Sequence, residues 1–67
     1  MNKKELGLLI KKRRKLLNIS QKELADISGV ALRKLVDIEN AKANPTVDTL
    51  MKIMDTLGLQ FDVRAKS

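Results

Sequence analysis

The sequence predicts an all-α fold, a compact four-helix domain covering residues 1–67, with a short C-terminal β-strand that pairs across a dimer. Three observations predict it. Apolar residues recur at helical spacing in four separate stretches. Capping residues stand before three of these stretches, and glycine or asparagine stands after all four. Only residues 59–65 switch to a period of two.

The first helix is expected from about Lys3 to Leu17, with Asn2 as its cap and Glu5 placed for a capping box. Leu6, Leu9, Ile10, Leu16 and Leu17 make its apolar stripe, and Asn18 ends it. Arg13 lies near the middle of the Leu6, Ile10, Leu17 stripe and Arg14 at its margin, so both arginines need partners. The second helix starts at Gln21, because the Ser20 hydroxyl can accept from the Glu23 amide while Glu23 reaches back to Ser20. Leu24, Ala25 and Ile27 supply its apolar side, and Gly29 turns the chain out of it. A third helix begins near Ala31. At ~100° per residue, Leu35, Ile38 and Ala31 share one face, while Arg33, Lys34 and Asp37 occupy about a third of the circumference elsewhere and point away from the core. Two short helices joined by a glycine turn, over 20–39, form a helix-turn-helix. The fourth helix follows Pro45, with Thr46 as cap, Leu50, Ile53, Met54 and Leu57 at helical spacing, and Gly58 as the stop. Met51 and Met54 read as core filler.

Beyond Gly58, Leu59, Phe61, Val63 and Ala65 alternate with Gln60, Asp62, Arg64 and Lys66, as in a strand. A lone strand has no partner in its own chain, and its unpaired edge invites another copy. Leu59, Phe61 and Val63 are therefore expected to make a homodimer, with Phe61, the only aromatic residue, as anchor.

Composition narrows the function. A chain of 67 residues has little core to spare, and it has no cysteine or histidine for a disulfide, a zinc site or the usual bases and nucleophiles. With no glycine-rich phosphate loop and no clustered carboxylates, no catalytic residue, metal or cofactor is expected. Ser20 and Ser28 are explained by caps and turns. The basic start holds only five consecutive uncharged residues before KKRRK, which is neither a signal peptide nor a membrane span. Charge is uneven. Residues 1–15 hold seven of the fourteen basic residues and one of the eight acids, leaving 16–67 with seven of each. Such a basic segment beside a helix-turn-helix is the footprint of a nucleic-acid binder. Two other classes compete: a basic amphipathic helix on anionic lipid, which leaves the helix-turn-helix unexplained, and a protein-interaction module that never touches DNA, which Arg33 and Lys34 disfavour.

Gln21, Leu24-Ala25, Gly29, Leu35 and Glu39 resemble the signature of the Cro and phage-repressor helix-turn-helix family, and the resemblance extends from Leu6 to about Leu59 through Pro45, Thr46, Asp48, Leu50, Leu57 and Gly58. It implies a lambda-repressor-like fold and a cytoplasmic, nucleoid-associated repressor that binds a double-stranded DNA operator, its second motif helix in the major groove. The C-terminal alternation and the stretch LGLLIKKRRKLL look most like the HipB-like antitoxins, dimeric repressors whose partner is a HipA-like kinase toxin. A stand-alone regulator, or a module that sequesters a toxin, remains the alternative.

Roles follow. Ser20 and Gln21 sit at a helix N-terminus suited to phosphate, with Asn40 and Lys42 holding the backbone on the other side. Arg33 can read guanine, Lys34 base or phosphate, Asp37 a cytosine amino group, and Leu32 a thymine methyl; Asp37 can equally pair with Arg33. The resemblance implies that Arg14 pairs with Glu39, Arg13 being the other candidate. Ala31 stands where relatives place serine or threonine, so that cap is missing. Asn40-Ala41 replaces a residue-glycine pair, so Asn40 is expected to take the left-handed conformation.

Overall fold

The computed structural model describes residues 1–60, 62 and 64–66. Four helices follow in order: α1 (Lys3–Leu16), α2 (Gln21–Ser28), α3 (Leu32–Glu39) and α4 (Val47–Thr56). Helix α1 packs on α3, and α2 packs on both α3 and α4. Their inner faces meet in a core whose fully buried side chains are Ile10, Leu24, Leu35, Ile38, Ile53 and Leu57. Removing a buried aliphatic such as Leu35 to alanine costs ~2–5 kcal/mol in such a core.

Three helices have side-chain N-caps. Asn2 accepts from the Glu5 amide at 2.8 Å, Ser20 and Glu23 form the reciprocal box, and Thr46 accepts from the Thr49 amide at 3.1 Å. Each helix is followed by a residue with left-handed backbone: Asn18, Gly29, Ala41 and Gly58. At the end of α3 the expected residue is wrong. Asn40 has φ −91°, and Ala41 takes φ 60° instead. The reason is position: the amide after the left-handed residue must reach back to Asp37, and the Lys42 amide does so at 2.8 Å.

Several expected core residues face solvent. In α1 the buried residues are Gly7, Ile10 and Arg14; Leu9 and Leu16 lie ~135–155° round the helix from that line and are exposed, and Leu17 is exposed past the last turn. In α2 the inward line runs through Gln21, Leu24, Ala25 and Ser28, leaving Ile27 outside. Ala31 shares the angle of Leu35 and Ile38 but sits at an open helix end and is exposed. Met54 fills the core as expected, whereas Met51 does not.

The expected C-terminal strand is absent among the described residues; Leu59, Gln60, Asp62, Arg64 and Ala65 carry none, and Phe61 and Val63 lie outside the described residues. A strand needs a ladder, and the Leu59 amide is already committed to the Met54 carbonyl at 2.8 Å. Leu59 itself packs against the core.

Candidate nucleic-acid interface

Helix α3 is held from behind. Its inward residues are Leu35, Ile38 and Glu39, and α1 crosses its C-terminal end at Gly7. A Cβ at Gly7 would lie 2.6 Å from the Glu39 carbonyl oxygen and 2.7 Å from that of Ile38, so only glycine lets the two backbones meet there. An isolated glycine inside a helical pattern is the signal that sequence reading passed over.

About two turns further along α1, the same edge carries Arg14. Its Nε donates to Glu39 Oε2 at 2.8 Å and its second amino group to Oε1 at 3.1 Å, a two-pronged contact of buried side chains. Arg14 also donates to the Ile19 carbonyl at 3.0 Å, and the Gln21 amide donates to Glu39 Oε1 at 3.1 Å. Glu39 thus joins α1, the start of α2 and the end of α3. Arg13 goes elsewhere, donating from Nε to the Leu57 carbonyl at 2.9 Å, where it closes the end of α4. Gln21, read from the sequence as a phosphate contact, has its side-chain amide turned to the buried carboxylate.

The outward side of α3 is different in kind. Arg33 has a side chain 84% exposed, and its Nε lies 3.6 Å from Asp37 Oδ1, an i, i+4 pair. Lys34 is exposed and Leu32 is partly so. Ser20 lies at the N-cap of α2 with its hydroxyl and amide engaged by Glu23. This box holds the Glu23 carboxyl below its ordinary value, chiefly through the Ser20 backbone amide and then through the Ser20 side chain. Asn40 and Lys42 are exposed just beyond α3. The structure therefore brings Leu32, Arg33, Lys34 and Asp37 together on one short helix, with Asn40 and Lys42 at its end. Leu59 lies apart, at the end of α4. Among the described residues no group of acidic, histidine or cysteine side chains could hold a metal ion, and no helix is long and apolar enough to cross a membrane.

A sequence profile described as Helix-turn-helix matches residues 10–63. An uncharacterized HTH-type transcriptional regulator of Sinorhizobium fredii is 36% identical over 61 residues, covering 91% of this chain and 80% of the relative. The ImmF control region 10 kDa protein of Bacillus phage phi105 is 38% identical over 60 residues, covering 90% of this chain and 67% of that protein. Among solved structures, HipB in its complex with the O2 20mer superposes with a TM-score of 0.84 and 25% identity over 100% of this chain and 93% of HipB. A restriction-modification controller protein from Aeromonas hydrophila matches the fold with a TM-score of 0.83 and 21% identity, over 87% of this chain and 88% of that one.

Proposed function

The chain belongs to the helix-turn-helix family, in its Cro and phage-repressor branch, a family of non-enzymatic regulators, and from that premise we propose that it is a sequence-specific repressor reading duplex DNA with α3. The observation that carries this reading is the two-sidedness of α3. Its inner side is fixed by Leu35, Ile38, Gly7 and the Arg14–Glu39 pair, while Leu32, Arg33 and Lys34 stand in solvent. A rigidly backed helix with a solvent-exposed guanidinium is what insertion into a major groove requires. Arg33 contacts guanine, Lys34 base or phosphate, and Leu32 a thymine methyl. Asp37, beside Arg33, accepts from cytosine or orients the arginine. Ser20, Asn40 and Lys42 contact the sugar-phosphate backbone, and Gln21, its side chain held by Glu39, offers only its backbone amide there. Selecting duplexes from a random pool tests this. Arg33→Ala should flatten preference at one base pair at a cost of ~1–3 kcal/mol, whereas Lys42→Ala should weaken every sequence alike. Equal losses on every sequence for both variants would remove direct readout by Arg33.

The domain acts as a single unit, a homodimer with its tail, Leu59, Phe61 and Val63, at the interface, placing two recognition helices about 34 Å apart for successive major grooves. Truncation after Gly58 should lower operator affinity; sedimentation showing it still dimeric at micromolar concentration would move the interface off the tail. The finer role is that of an antitoxin that represses its own operon and binds a HipA-like kinase toxin. The likeness to HipB, solved also in a HipA-HipB-O2-O3 complex at TM-score 0.83 and 25% identity, supports this. Copurification of a kinase of that type from the native host tests it; its absence would leave a stand-alone cytoplasmic regulator.

A further inference from the structure

The seven cations of residues 1–15 do two different jobs. Arg13 and Arg14 are spent inside the protein, on Leu57 and Glu39. The five lysines of this segment take no part in any of the ion pairs among the described residues. Three of these lysines fall on one line. Lys4, Lys11 and Lys15 lie within about 40° of one another round α1 and span about 16 Å of its length, at ~100° and ~1.5 Å per residue. Glu5, the one acidic residue of α1, lies about 80–120° away from that line by the same geometry.

The line does not run along the back of the domain. Lys11 sits about 40° round from Gly7 and about 60° from Arg14, the two residues that touch the C-terminal end of α3. It therefore borders the contact of α1 with the C-terminal end of α3, after which Asn40 and Lys42 follow in the chain. Lys4 and Lys15 are exposed and Lys11 is half-exposed. Residues 16–67 carry seven cations and seven acids, so the helix-turn-helix and everything after it offer a polyanion no net attraction. Within α3, Arg33 already has Asp37 beside it. Long-range attraction to phosphate must come from α1.

We propose that Lys4, Lys11 and Lys15 form a sequence-independent clamp on the phosphate backbone of duplex DNA next to the site read by α3, and that this clamp carries most of the salt-dependent binding. The inference rests on the DNA-binding reading above. The ridge length matches about five base steps at ~3.4 Å each, enough for three phosphates along one flank.

The test uses the full chain carrying Lys4→Gln, Lys11→Gln and Lys15→Gln together, since glutamine keeps helix propensity close to that of lysine. Circular dichroism and melting confirm that the variant is folded. Binding is measured against salt on a random-sequence duplex and on a duplex selected by the wild-type chain. The slope of log K against log salt should become shallower by about 2.7, three phosphates at ~0.9 each, on both duplexes. The preference for the selected duplex should remain unchanged. Lys12→Gln, off the ridge, should alter the slope by less than any single ridge substitution. An unchanged slope in the folded triple variant overturns the clamp, as does a loss that falls only on the selected duplex. Vesicles of phosphatidylserine and phosphatidylcholine are the contrasting probe: if the triple variant loses vesicle binding with its DNA slope intact, the ridge serves a lipid surface. A wild-type chain with no preference for any duplex would instead refute the reading of α3, independently of the ridge.

Discussion

The two helices of the motif have the same length and opposite construction. Helix α2 is finished at both ends by its own residues: Ser20 and Glu23 form a reciprocal cap, and Gly29 supplies the left-handed residue that ends it. Helix α3 follows Ala31, which offers no side-chain cap, and the left-handed residue after it is Ala41, which takes φ 60° without the freedom of glycine. What α3 lacks locally it receives from elsewhere, through Leu35 and Ile38 in the core, the Gly7 crossing and the contacts of Glu39. An eight-residue helix is far too short to be stable alone. One motif helix is thus specified by adjacent residues, the other by α1 and α2.

The sharpest way to break this contrast is to remove Arg14 or Glu39. Either alanine variant strands a buried charge, which costs ~3–5 kcal/mol, a large part of the stability of a domain this size. Urea denaturation should show both variants close to unfolded, with Ser20→Ala losing only ~1 kcal/mol. Next in size is Gly7→Ala. Its Cβ meets backbone oxygens that cannot rotate away, so α1 and α3 must separate at a cost of about 1–3 kcal/mol. Its melting temperature should fall, and its duplex preference should weaken more than that of a core variant of equal stability, because α3 is displaced.

Two substitutions should make α3 more like α2. Left-handed backbone costs a residue with a Cβ ~1–2 kcal/mol, partly offset by the freedom glycine has in the unfolded chain, so Ala41→Gly should stabilise by about 0.5–1 kcal/mol. Ala31→Ser should add a cap worth ~1 kcal/mol or less. Denaturation midpoints that fall in either variant would mean that the helix ends are not where α3 is weak. The smallest effect concerns pH. The Glu23 carboxyl is held below its ordinary value of 4.5 by Ser20, so its contribution is present above that value and is lost as pH falls through the lowered one. Glu23→Gln should flatten the acid side of a melting-temperature profile, and an acid limb unchanged in that variant would mean that the cap does not couple to pH.

The same contrast explains what could be read from the sequence. Four helices, the Ser20–Glu23 box and the Gly29 turn are written in residues three or four apart, and those elements are present as expected. Wheel geometry fixed which residues share a side but not which side the neighbours cover, so Leu9, Leu16, Ile27 and Met51 were expected inside and stand outside. Assigning the left-handed residue to Asn40 followed side-chain preference, and hydrogen-bond register placed it at Ala41. The close approach at Gly7 involves residues more than thirty positions apart, beyond the reach of any local pattern. Period-two spacing in the tail describes an amphipathic extended segment, and nothing among the described residues supplies the ladder that would make it a strand.

The claim that α3 is held through Glu39 is tested most directly by a double-mutant cycle on Arg14 and Glu39, using Arg14→Met and Glu39→Gln in urea denaturation. The account predicts a coupling of roughly 2–3 kcal/mol, at the upper end for contacting pairs. Additivity within about 0.5 kcal/mol, as for independent sites, would contradict it and leave α3 held by core packing alone.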